Sequence, residues 1–227
     1  MAVQYLTLDP ITTTPESLVL VSSSSDPHIR RWSISLTSAE QLIDTSASES
    51  SKAPRETILE HETSVYSLMF SDDDDGDAQG SNLWTASADG TAKCLSRSRN
   101  WATEEVFEHG DYVRAIALTP DWIITAGRSE DVKIWDRISG ELYHVYEGHY
   151  EEVTGLITMA EDKKVVSVSL DATIRTWSLV KSDMEKIKKE MEDKEKGVVK
   201  DDAPAVKRSL LTEEEERELA ELMDDSD

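Results

Sequence analysis

Cysteine occurs once, at Cys94. A single thiol cannot form an internal disulfide, so packing and hydrogen bonds must hold the fold, and a reducing compartment, cytoplasmic and/or nuclear, fits best. Inside a strand such a thiol reads as a small buried apolar group. Basic residues are scarce, 24 Lys and Arg against 47 Asp and Glu, for a formal net charge of −23. A nucleic-acid binder would carry a basic stripe, and none is visible. The acidity points instead to solubility and a basic protein partner. No apolar run approaches the roughly 20 residues of a membrane helix. The first 30 residues lack the basic region and apolar core of a secretory signal. Catalytic signatures are missing as well: there is no G-x-S-x-G, no Gly-rich phosphate loop and no metal-spaced His/Cys set. The expectation is therefore a chain with no cofactor, no metal and no enzymatic activity.

What the chain does have is repetition. HGDYVRAIAL, WIITAG and SEDVKIWD follow one another from His109, and HYEEVTGLIT, KVVSVS and LDATIRTWS from His149. In each copy Val follows His by four residues (Val113, Val153) and an aliphatic by seven (Ile116, Leu156). Each closes on Trp, at Trp135 and Trp177, and this fixed period signals a repeat architecture. Period-2 alternation predicts three short strands per copy, with Val113, Ala115 and Ala117 on one face and Arg114, Ile116 and Leu118 on the other. Both faces are apolar, as a sheet stacked between two others requires.

Gly148-His149, Trp135-Asp136 and the run Asp171-Ala172-Thr173-Ile174-Arg175-Thr176-Trp177 resemble the GH element, the WD dipeptide and the D-x-T-I-R-x-W strand of the WD40 repeat. The resemblance implies an all-β fold, a partial WD40-type β-propeller of about four blades followed by a charged helical tail. It also implies that His, Ser or Thr, Asp and Trp hydrogen-bond in a chain within each blade, since a buried indole and imidazole need partners.

Four copies are expected, at about 2–59, 60–108, 109–147 and 148–180, with a charged, helical or partly disordered tail over 181–227. Aligning Val3 with Val113 places the expected His of the first copy before Met1. Residues 36–55 read as a Ser-rich loop, with Glu56–Glu60 as the outer strand of the first blade. Residues 72–81, DDDDGDAQGS, fail the EF-hand pattern, because Leu83 stands at position 12, and read as a solvated acidic loop. Leu95 replaces the second Trp, and Ser129 the third Asp, with Asp131 two residues on. The fourth blade has no outer strand of its own. Ser182 and Glu185 form a candidate capping box, and Met184, Ile187 and Met191 a narrow apolar stripe; Thr212 and Glu215 repeat the box in a second helix.

An open arc of four such blades would leave two apolar faces bare. The expectation is a chain that looks like the C-terminal part of a longer propeller, completed by missing N-terminal blades or by another chain. The functional expectation is a non-catalytic scaffold for unidentified protein partners, with no nucleic acid and no membrane. Tyr66, Arg114 and Arg128 are the candidate partner-binding residues. The alternatives are partner binding by the tail, with the propeller as carrier, and an enzyme with a pocket on the propeller face.

Overall fold

Short apolar runs separated by Asp, Ser and Gly turns fold as antiparallel meanders, because a tight turn returns the chain beside itself. The computed structural model describes residues 2–43, 57–71, 81–159, 161 and 163–195. The chain divides into two units, Met1–Lys188 and Lys189–Asp227. The first unit holds four sheets. Blade 1 is β1 (Val3–Leu8), β2 (Ser17–Ser24), β3 (Arg30–Ser35) and β4 (Ala39–Gln41); blade 2 is β5 (Val65–Phe70), β6 (Leu83–Ser87), β7 (Thr91–Ser96) and β8 (Ala102–Glu108). Blade 3 is β9 (Val113–Leu118), β10 (Trp122–Gly127), β11 (Val132–Asp136) and β12 (Leu142–Tyr146). Blade 4 has only β13 (Val153–Met159), β14 (Lys164–Ser169) and β15 (Ile174–Ser178), and α1 (Lys181–Glu195) follows it.

The inner strands β1, β5, β9 and β13 lie next to one another in that order, and β5, β9 and β13 each also pack on the second strand of the preceding blade. This is the stacking of a β-propeller. The core is accordingly divided among the junctions. Val21, Ile29 and Ile58 of blade 1 meet Val65, Leu68, Phe70, Leu83 and Leu95 of blade 2. Trp84, Ala86, Ala92 and Phe107 of blade 2 meet Val113, Ile116, Ile123 and Trp135 of blade 3. Ala117, Ile124, Ala126, Val132 and Ile134 of blade 3 meet Val153, Val165 and Leu179 on the side of blade 4.

Three expectations need correction. Strict alternation fails in every inner strand: Val113 and Ile116 share one cluster, whereas Ala117 belongs to the next. The cause is a bulge, since the register shifts between Val113 and Ala115, and likewise at Val3/Tyr5, Val65/Ser67 and Val153/Gly155. One extra residue turns a spacing of three into a same-face pair. The outer strand of blade 1 is Ala39–Gln41, not Glu56–Glu60. A tight Ser35–Ser38 turn closes that hairpin locally, with Ser35 N–H donating to Ser38 O at 2.8 Å. Ile58 instead makes an isolated bridge to Ile29. Finally, the helix begins at Lys181, so Ser182 is inside it and is no cap. Ser178 instead fixes the turn into the helix: its hydroxyl donates to Asp183 Oδ2 at 2.8 Å and accepts the Val180 N–H at 3.2 Å.

The first turns of α1 are not a free solvated segment. Met184 is fully buried against Trp122, Tyr146 and Leu179, with Ile187 beside it, and the Tyr143 hydroxyl donates to Glu185 Oε1 at 3.2 Å. The expected second helix at Thr212 and most of the acidic loop at 72–81 lie outside the described residues.

Candidate functional site

The four bulges have one consequence for the surface. Each places the residue after the register Val, Gln4, Tyr66, Arg114 or Thr154, at the extra position, where a bulge re-aims a side chain. All four line a single cavity of about 230 Å³ between the inner strands. Two of the three sequence-predicted residues meet there. The Arg114 guanidinium lies 4.3 Å above the Tyr66 ring, and its Nε is 3.5 Å from Glu152 Oε1. Arg128 is not among the cavity's lining residues; its guanidinium lies 5.1 Å from the Tyr112 ring, and its N–H donates to Tyr112 O at 2.9 Å. Sequence reasoning missed Glu152 and Tyr112. Both immediately precede a register Val, on the opposite side of it from Tyr66 and Arg114, so extending the reading one residue upstream of the Val could have found them.

Within the blades, hydrogen-bond chains tie the strands and turns together. In blade 4 the Trp177 indole N–H donates to Ser167 Oγ at 2.8 Å, and the Ser167 hydroxyl faces His149 Nε2 at 2.7 Å. His149 Nδ1 is 2.9 Å from Asp171 Oδ2. A carboxylate only accepts, so Nδ1 carries the proton and Nε2 receives the serine's. Blade 2 repeats this with His61, Asp89 and Thr85, at 2.8 and 2.7 Å, and lacks the indole bond because the Leu95 side chain has no N–H to give. Blade 3 completes its chain without a carboxylate. Trp135 donates to Thr125 Oγ1 at 2.8 Å, Thr125 meets His109 Nδ1 at 2.9 Å, and His109 Nε2 meets Ser129 Oγ at 2.9 Å. Ser129 thus substitutes for Asp, and Asp131 takes no part in the chain. Blade 1 keeps the Trp32 to Ser22 bond at 2.8 Å.

These chains set the acid response. Burial, followed by the Lys133 charge, depresses His109 from 6.5 to about 4. Asp89 and Asp171 move below the ordinary carboxylate value: burial opposes their charge, but bonds from His61 and Thr91, and from Thr173 and His149, outweigh it. Between pH 6.5 and about 4 the unfolded chain binds the His109 proton and the folded chain does not, so His109's stabilisation is complete above 6.5 and drains as pH falls. That of the two Asp residues is complete above their unfolded value of 3.8 and is lost below it. Thermal melts should therefore hold steady at neutral pH, decline below 6.5 and fall more steeply below 3.8. A His109→Gln variant should lose most of the first decline, the remainder belonging to His144, which burial and the Lys188 charge also hold below 6.5, and should keep the second; an unchanged profile in that variant would reject the assignment.

Cys94 is buried, and burial together with Glu105 and Glu104 raises its thiol to about 12, so the thiol stays protonated at neutral pH. Among the described residues no cluster of three or more His, Cys, Asp or Glu could hold a metal, and no helix is long and apolar enough to cross a membrane.

Comparison with known proteins agrees with this geometry. Residues 140–178 match the family described as WD domain, G-beta repeat. An uncharacterized WD repeat-containing protein of Schizosaccharomyces pombe is 33% identical over 221 residues, covering 96% of this chain and 52% of the relative. The protein ROOT INITIATION DEFECTIVE 3 of Arabidopsis thaliana is 34% identical over 71 residues, 30% of this chain and 16% of that protein. The chain thus spans about half the length, or less, of these relatives. Among solved structures, the WD40 β-propeller domain of Doa1 superposes with a TM-score of 0.58 at 20% identity, over 80% of this chain and 52% of that one. Blade stacking, the recurring His–Ser/Thr–Trp chains and these likenesses agree: the chain belongs to the WD40-repeat β-propeller family.

Proposed function

We propose that this chain is a non-catalytic protein-interaction scaffold, and that it docks a loop or peptide segment of a protein partner at the channel mouth. One observation carries the reading. The four bulges aim one side chain from each blade at a common cavity, and the two largest, Tyr66 and Arg114, are stacked there before any ligand arrives. Stacking spares entropy on binding, because the guanidinium plane is already oriented while part of it stays open to solvent. Aromatic and Arg anchors of this kind carry most of the energy at protein interfaces. Arg128 on Tyr112, at the ends of β10 and β9, forms a second, separate anchor.

Affinity capture compared quantitatively between wild type, Arg114→Glu and a chain ending at Glu195 tests this. The truncation point keeps Met184, whose burial belongs to the blade core. Partners should be lost at least roughly tenfold with Arg114→Glu, as for an interface anchor, and retained by the truncated chain. Partners lost only on truncation would refute the mouth and establish the tail as the recognition element.

A further inference from the structure

His144 occupies a position on the outer strand of blade 3 that faces water in blade 2. It pairs with Ile134, just before Trp135, as Glu105 pairs with Cys94, just before Leu95. Glu105 is exposed, whereas His144 is 6% exposed. The difference is α1, whose Met184, Glu185 and Lys188 stand across from Leu142, Tyr143 and His144. The contact is incompletely filled, with a cavity of about 340 Å³ left between these residues. His144 Nε2 is buried without a hydrogen-bond partner. A neutral imidazole bears this at modest cost; an imidazolium, which carries a proton on both nitrogens, does not.

The charged and titratable groups around His144 offer no relief. Tyr146 stands edge-on to it, 4.4 Å from ring to ring, and the Tyr143 hydroxyl is spent on Glu185. On β11, Lys133 Nζ donates to His109 O at 2.6 Å, and the Asp136 carboxylate accepts the Ile138 and Ser139 N–H groups at 3.0 Å. On α1, Asp183 is bonded to Ser178 and Lys181 lies 5.1 Å from the Trp122 ring. Lys188 does act on the imidazole, and it repels a charge there; burial works in the same direction.

We infer that the first two turns of α1 are an acid-released latch: a proton on His144 unseats them from blade 3 and uncovers Met184 and Tyr146, while the blades keep their fold. With α1 seated, His144 resists protonation; with α1 lifted, it takes a proton at its ordinary value. Seating is therefore complete above 6.5 and weakens as pH falls, by up to about tenfold per pH unit. His109 stays neutral to about 4, so the hydrogen-bond chain of blade 3 persists well below 6.5. The inference rests on β12 and α1 alone and is independent of channel-mouth docking.

Amide hydrogen exchange of the full chain, expressed as protection factors so that the intrinsic pH dependence of exchange cancels, reads the latch directly. Below 6.5 the amides of residues 185–188 should lose protection by up to about tenfold per pH unit, while those of β10 and β11 hold. His144→Phe keeps an aromatic ring against Tyr146 and removes the titrating group, so its protection should stay flat over the same range. Lys188→Glu alters an exposed side chain and sets a carboxylate where the imidazolium needs one, so acid should raise protection instead of lowering it. A wild-type protection that does not change below 6.5, an equal loss in His144→Phe or Lys188→Glu, or β10 and β11 amides that fall in step with those of α1 would each overturn the inference.

Discussion

Replacing Arg97 by Met lowers the unfolding free energy by about 3 kcal/mol or more, the usual cost of orphaning a buried charge. Asp9 is fully buried, and Arg97 grips it with two bonds, Nη2 to Oδ1 at 2.7 Å and Nη1 to Oδ2 at 3.1 Å. The Ile11 and Thr12 N–H groups add bonds at 3.0 and 3.3 Å. Burial works against this carboxylate, yet those bonds hold its pKa below the ordinary value. Arg97 also lies 4.6 Å from the Trp101 ring and 5.4 Å from Phe70, and Met preserves most of that apolar contact. What Met cannot supply is positive charge. Without it the carboxyl should protonate at a raised pH, so the gap between wild type and variant should narrow as pH falls through the carboxylate range. Denaturant melts at several pH values measure both. A loss below about 1 kcal/mol, the scale of an exposed pair, would show that the ion pair is solvated; a gap independent of pH would show that the loss is only packing.

Gly127→Ala should be similarly severe, about 3 kcal/mol, at the upper end of overpacking costs. The reason is close approach, not backbone conformation. A Cβ at Gly127 would stand 1.8 Å from Tyr112 O and 2.9 Å from Arg114 N. Both are backbone atoms of the bulged strand, so neither can rotate away. Blades 2 and 4 carry Ser87 and Ser169 at this register, and their hydroxyls donate to Ser64 O at 3.0 Å and Glu151 O at 2.9 Å. Those strands stand far enough off to admit a side chain; the strand of blade 3 does not. The collision falls on the segment that aims Arg114, so the variant should also lose partner affinity under conditions where it remains folded. Thermal unfolding and binding measured on one sample would check both. A melt unchanged within a degree would mean that the bulge of blade 3 is more compliant than its geometry.

The legible features of this chain were those written in a short register. The fourfold and sevenfold offsets from His61, His109 and His149 marked the buried Val and aliphatic positions. Trp32, Trp135 and Trp177 marked the third strands. The odd spacing of three between Val and aliphatic already contained the bulge, because two residues three apart cannot share a face of a regular strand. Simple alternation concealed it. Ala39–Gln41 was hidden for a different reason: an outer strand paired on one edge and wet on one face needs no apolar pattern, so it reads as loop.

Repetition, the apolar register and the hydrogen-bonding residues were determined by the sequence itself, because each is a local requirement that one blade imposes on its own residues. Which blade each face meets was decided only in three dimensions. Asp9 and Arg97, Met184 and Trp122, Tyr66 and Arg114 come from separate segments, and nothing in the intervening residues encodes their distance. A side chain's pattern states that it must be dry or bonded; only the folded chain supplies the neighbour that makes it so.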